Sequence, residues 1–204
     1  MDIPPTITAL TAARALATLR DAGCDWEVEA RRAGVPVELA PEFAWRAPIA
    51  AVDRLFARGA AVCGPDFPLI ARPPRAEDNR SPVNLYCRTR DTVREALDAL
   101  EALTPHVTDA YAIRVVGPGV VRWCGAPYPA LWWFDLADLV ASVRSVFPRG
   151  PHLVRVTTPF PAPPGAAADL GCRIEPGPQF EATLAPELVA RRIPPTDAAV
   201  RAHV

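Results

Sequence analysis

At 204 residues, with 50% hydrophobic and 22% charged side chains, the chain has ordinary globular composition and room for one domain with its own core. Its 22 basic and 23 acidic residues leave a net charge of −1, which argues against the concentrated basic footprint of a nucleic-acid-binding domain. Five scattered cysteines without a C-x-x-C pair, the lack of a signal peptide and the absence of any run of about 18 apolar residues predict a cytoplasmic protein with small, buried, reduced thiols and no membrane span.

The first half reads as helical. Thr6 or Thr8 is placed to cap a helix whose Leu10, Ala13, Leu16, Ala17 and Leu19 form one broad apolar face, ended by Gly23. A short helix over 25–32 stops at Gly34 and Pro36. Pro48 then suits the first turn of a helix through Val52, Leu55, Phe56 and Ala60 to Cys63, which Gly64-Pro65 breaks. Residues 72–82 are polar and proline-bearing and read as a loop, with helix resuming over 82–88. Residues 91–103, DTVREALDALEAL, make the clearest helix. Asp91 is its expected N-cap, with Val93, Ala96, Leu97, Leu100 and Leu103 on the buried face and Arg94 and Asp98 paired outside.

At Thr108 the period changes from helical to alternating. Residues 110–116 and 120–124 flank Gly117-Pro118-Gly119 as a β-hairpin. A long helix follows over 131–147, then a strand at 153–157, a proline-rich turn at 159–164 and a short helix at 166–170. Short strands are expected at 172–175 and 180–184. The fold class is therefore α+β: an N-terminal helical half, then a β-hairpin, a long helix and short strands forming a small sheet packed against helices.

Three passages carry a family resemblance. One is the helix pair with its Ala33-Gly34-Val35-Pro36 stop and Leu39, followed by the proline-led Ala47-Pro48-Ile49. Another is the helix at 92–103 running straight into a hairpin. The last is Val154-Arg155-Val156-Thr157-Thr158-Pro159, then Gly171-Cys172-Arg173-Ile174, Phe180 and Leu184 to Leu188. Together they resemble the N-terminal effector-binding domain of AraC/XylS-type bacterial transcription regulators, in the helical, arabinose-binding-domain-like branch. The resemblance implies a regulatory domain over 1–194, with 195–204 beginning a linker to a missing C-terminal helix-turn-helix DNA-binding domain. It also implies a small organic effector, a homodimer, and contact with DNA only through the absent tail. The chain departs from the family pattern in the loop at 72–82 and in the tryptophans that open the long helix.

Catalytic signatures are missing from this sequence. Only three histidines occur, no G-x-S-x-G appears, and Gly117-Pro118-Gly119 lacks the rest of a phosphate-binding loop, so an enzyme is not expected. Asp135 and Asp138 read as one solvated helix face, and no metal-ligand cluster or cofactor is expected. The helix at 91–103 also resembles the one that carries the haem-ligating histidine of haem-based nitric-oxide sensors. However, Thr104 stands where that ligand would fall, and His106 follows behind Pro105.

The residues that suit a ligand pocket are aromatic and basic: Tyr86, Arg88, Tyr111, Trp123, Trp132 and Trp133. Apolar walls with a few convergent polar groups are what small-molecule sites require. Neighbours on a helix differ by about 100°, so one of Trp132 and Trp133 is expected in the core and the other at a pocket or partner. Three functions remain open at this point: an effector sensor whose site lies between the hairpin, the long helix and the Tyr86/Arg88 helix, a dimerisation module with the tryptophans as a contact patch, or a haem-based gas sensor, which a Soret band in the purified protein would reveal.

Overall fold

The computed structural model describes residues 4–36, 46–71 and 86–194. The predicted loop at 72–82, the first part of the helix at 82–88 and the linker at 195–204 lie outside them.

Alternating Thr-Ile-Thr favours extended backbone over a helix turn. Accordingly β1 (Thr6–Thr8) pairs antiparallel with β2 (Arg46–Pro48), burying Ile7 completely. The sequence reading assigned both segments to helix starts. Thr8 does stand at the N-cap position of α1 (Ala9–Asp21), but its side chain makes no capping bond. Pro48 ends β2 one residue before α3 (Ile49–Cys63). Between them, α2 (Trp26–Ala33) is capped as its sequence requires. Asp25 accepts from the Val28 amide at 3.2 Å, and Gly34 ends the helix at φ +78°.

The buried face of α1 is Ala9, Thr11, Ala12, Ala15, Leu16 and Leu19, which keeps Leu16 and Leu19 of the expected stripe and takes neighbours in place of Leu10, Ala13 and Ala17. Small alanines let α1 approach α3 closely, and α2 packs on the same helix. A carboxylate joins this second contact: Glu29 of α2, almost fully buried, pairs with Arg58 of α3 and with Arg32 at 3.1 Å. The Arg58 hydrogen bond holds the Glu29 carboxyl below its ordinary value against the opposing effect of burial. Cys24 and Cys63 bring their sulfurs to 3.4 Å; all five cysteines are free and half-buried rather than sealed in the core.

After the short α4 (Phe67–Ile70), residues 86–88 are helical and lead into α5 (Val93–Val107). Its N-cap is Thr92 rather than Asp91. Thr92 Oγ1 accepts from the Glu95 amide at 3.2 Å, while the Glu95 carboxylate accepts from the Asp91 amide at 3.0 Å. A threonine three residues before a glutamate satisfies two orphan amides at once, which Asp91 has no partner to match. The helix also continues through Pro105 to Val107, a turn further than its apolar pattern suggests.

The hairpin forms as expected from β3 (Tyr111–Gly117) and β4 (Val120–Gly125), turning at Gly119 with φ +73°. The long helix is α6 (Pro129–Val146). It is followed by β5 (Leu153–Thr158), α7 (Ala166–Leu170), β6 (Arg173–Pro176), β7 (Phe180–Leu184) and α8 (Pro186–Val189). The five-stranded sheet runs β3-β4-β7-β5-β6. Only β5 and β6 are parallel, and α7 lies in the crossover that such a pair needs. The result is the expected α+β architecture.

α6 is the shared layer. On one side Phe134 packs edge-on against Phe56 of α3 at 5.1 Å, and Phe56 against Phe67 of α4 at 5.8 Å. On the other, Trp133 stands edge-on to Phe180 of β7 at 5.0 Å, and Trp132 lies 5.7 Å from the same ring. Aromatic pairs of this geometry contribute about 0.5–1.5 kcal/mol each beyond the area they bury. Among the described residues no helix is long and apolar enough to cross a membrane.

Candidate functional site

A cavity of about 170 Å³ lies between α6, α5 and the hairpin. One stripe of α6 lines it: Phe134, Asp135, Asp138, Leu139, Ser142 and Val143, at the spacing of one helix face. Opposite is the stripe Val93, Ala96, Leu97, Leu100 and Thr104 of α5. This is largely the face that periodicity marked as core; in the fold it is a wall. Tyr111, Ile113 and Trp123 of the hairpin close one end, while Thr11 and Arg14 of α1 and Cys87 and Arg88 contribute from the other elements.

The polar centre is Asp135. Tyr111 donates its hydroxyl to Asp135 Oδ2, and the Trp123 indole N–H donates to the same oxygen at 3.4 Å. Burial is the largest influence on this carboxyl. The Tyr111 bond offsets burial in part, the charge of Asp138 adds to it, and the pKa is pushed up to about 7. Burial likewise drives the Tyr111 phenol well above its ordinary value, with the Asp135 charge adding to the effect. Tyr111 is therefore a fixed donor, and Asp135 sits near its titration midpoint at neutral pH.

Asp138, one turn on, is bound by Arg14 of α1 at 3.2 Å, with both side chains mostly covered. This ion pair connects α1 to α6 across the cavity rim. Burial pushes the Cys87 thiol up to about 12, which disfavours the thiolate, and its sulfur donates to the Ala96 carbonyl at 3.3 Å.

Of the six residues singled out from the sequence, Arg88, Tyr111 and Trp123 line the cavity together. Tyr86 does not; its ring lies under the Arg90 guanidinium at 4.0 Å. Trp132 and Trp133 stand outside the wall, and both are buried, at 4% and 2% exposure, contrary to the expectation that one would face a pocket or partner. A helix covered by a sheet on one side and by helices on the other has apolar residues all round, so adjacent side chains can both be core. Sequence reasoning missed Asp135, Asp138 and Arg14. The available signal was a pair of aspartates inside the most apolar stretch of the chain, where a solvated face has no room.

His106 is exposed on α5, whereas Thr104 lines the cavity. Among the described residues no group of histidine, cysteine and carboxylate side chains is placed to hold a metal ion.

No protein-family model and no curated protein matches the chain. Among solved structures, the fold is similar to that of the transcriptional regulator CdpR from Pseudomonas aeruginosa, with a TM-score of 0.50 at 18% identity. The match covers 93% of this chain but 59% of that one, so the present chain spans little more than half the length of the regulator it resembles.

Proposed function

We propose that the chain is the effector-sensing, non-catalytic regulatory domain of an AraC/XylS-type transcription regulator, taking a small organic effector into the cavity between the hairpin, α6, α5 and residues 87–88. The observation that carries this reading is the cavity itself: an apolar wall with a hydrogen-bonded carboxylate at its centre, where a folded domain of this size ordinarily packs shut. The likeness of the fold to a transcriptional regulator supports it. The greater length of that regulator accords with reading 195–204 as the start of a linker to a DNA-binding tail. In this reading the protein is a cytoplasmic homodimer. Effector binding favours one of two arrangements of α1, α5 and α6, and so changes how the tail is presented to DNA.

A thermal-shift screen of the purified chain against amino acids, sugars, fatty acids, aromatic acids and amines tests the reading. A ligand at about 100 times its dissociation constant adds roughly 2.7 kcal/mol and raises the melting temperature accordingly. The expected result is a hit that weakens when Trp123 or Arg88 is replaced. Silence across the library, with a melting temperature that depends on protein concentration, would replace the sensor with a dimerisation module.

A further inference from the structure

Among the described residues, the hydrogen bonds to the cavity-wall carboxylate Asp135 come from neutral donors. Asp135 Oδ2 is occupied by Tyr111 and Trp123, while Oδ1 accepts no hydrogen bond among the described residues. Nor is Oδ1 among the side-chain atoms that are both sealed and unpartnered, which belong to Asp53, Arg90, Trp132 and Trp133. It is therefore reachable from the cavity that Asp135 lines.

The charged and titratable groups around it are Asp138 on the same helix, Arg14 on α1, Tyr111 on β3, and Cys87 and Arg88 before α5. Arg14 is engaged by Asp138 at 3.2 Å and has the smallest of the influences on Asp135. Tyr111 and Cys87 stay neutral across the physiological range. The rings on the same wall as Asp135 are those of its two donors, Tyr111 and Trp123, and of its chain neighbour Phe134, while the rest of the cavity lining is largely aliphatic. A carboxylate oxygen on an apolar wall with aromatic rings beside it suits an organic cation with an apolar body, because the carboxylate pairs the positive charge and the wall takes the body.

Resting on the sensor reading above, we infer that the effector class is a small organic amine with an apolar body, its ammonium bound to Asp135 Oδ1 and its body against α5 and α6. At about 170 Å³ the cavity is of the size class that accepts a single aromatic ring, engineered cavities of roughly 150 Å³ being able to hold benzene. Binding is linked to the charge of Asp135. The amine requires the ionised carboxylate, so its affinity rises with pH towards the Asp135 midpoint and levels off above it.

The probes are phenethylamine, phenethyl alcohol and phenylacetate, which share a ring and chain length and differ in the terminal group. The expected result is binding of the amine alone by calorimetry, tightening about 20-fold between about pH 5.5 and about pH 7.5 as Asp135 ionises. Asp135→Asn is expected to abolish it. The pH series on the unsubstituted protein tests the same point without relying on the variant's folding. Tighter binding of phenylacetate, or an amine affinity flat with pH, overturns the amine assignment while leaving a sensor of another ligand class. Silence from these probes, while the wider library yields a non-amine ligand, overturns it in the same way. Silence from every class overturns the sensor reading with it.

Discussion

α6 has two neighbourhoods with opposite packing. Towards α3 and α4, Phe134, Phe56 and Phe67 interlock edge to face, and Gly59 of α3 is bare because the Phe67 ring occupies the place of its side chain. Towards α5, side chains of the same apolar kind face each other and leave a cavity. Both walls come from helices with ordinary apolar stripes. The difference is that large rings fill one gap, whereas the other is bordered by alanine, threonine and aliphatic side chains around a carboxylate. Hydrophobic surface alone does not determine where a domain is solid. Side-chain volume across each gap does, and a domain that leaves one gap open forgoes dispersion contacts worth having.

The comparison breaks most severely on the solid side. Phe56→Ala is expected to cost about 3–5 kcal/mol, since the ring is fully buried between Phe67 and Phe134 and its removal leaves a void that neither helix can close. Denaturant unfolding followed by circular dichroism measures it. Gly59→Ala sharpens the same point. Alanine is the better helix former by about 1 kcal/mol. However, a Cβ there would meet the Phe67 ring at 2.3 Å, within a core closed around it. Overpacking of this kind costs about 1–3 kcal/mol, so a net loss of stability is expected; a gain would mean that Phe67 has room to move.

Much of the chain's local structure was legible before the fold, and the reason shows in particular elements. The hairpin, the helix at Ala166–Leu170 and the strand at Phe180–Leu184 follow from local turn chemistry and alternation. β1 and β2 were not readable, because three residues carry no usable period and their pairing joins segments some 40 positions apart. The cavity was half legible. Arg88, Tyr111 and Trp123 stood out by residue type, but a stripe that lines a cavity and a stripe that packs a core are the same stripe in sequence, as Leu97 and Leu100 demonstrate. Asp135 and Asp138 were misread because a helix face with two aspartates ordinarily faces water; here the sheet and α1 cover it.

Asp135 provides the next test of the open side. A carboxyl whose folded pKa is raised costs nothing below its unfolded value. It destabilises progressively as pH climbs towards the folded value, and the cost is complete above it. With the folded value at about 7, the protein should lose about 2 kcal/mol between about pH 5.5 and about pH 8.5 relative to Asp135→Asn, measured by urea midpoints at each pH. Equal pH dependence in the two proteins would show that Asp135 remains hydrated. Glu29 on the solid side should behave in the opposite sense. Its lowered pKa contributes stability above the unfolded value that is lost as pH falls through the folded one.

The smallest effect is the most discriminating, because it places one substitution in each neighbourhood. Ala15 on α1 is completely buried among packed helices, whereas Ala96 on α5 faces the cavity. Leucine and alanine are close in helix propensity, so the change to leucine at either site reads out space. Ala15→Leu should destabilise by about 1–3 kcal/mol, since three added carbons have nowhere to go. Ala96→Leu places them in the void, where the added apolar burial offsets the lost rotamer freedom, and stability should shift by less than about 0.5 kcal/mol. The same variant should also lose any ligand that enters the cavity. A stable Ala96→Leu protein that still binds the ligand would put the binding site elsewhere, and an unstable one would mean that the cavity closes in solution.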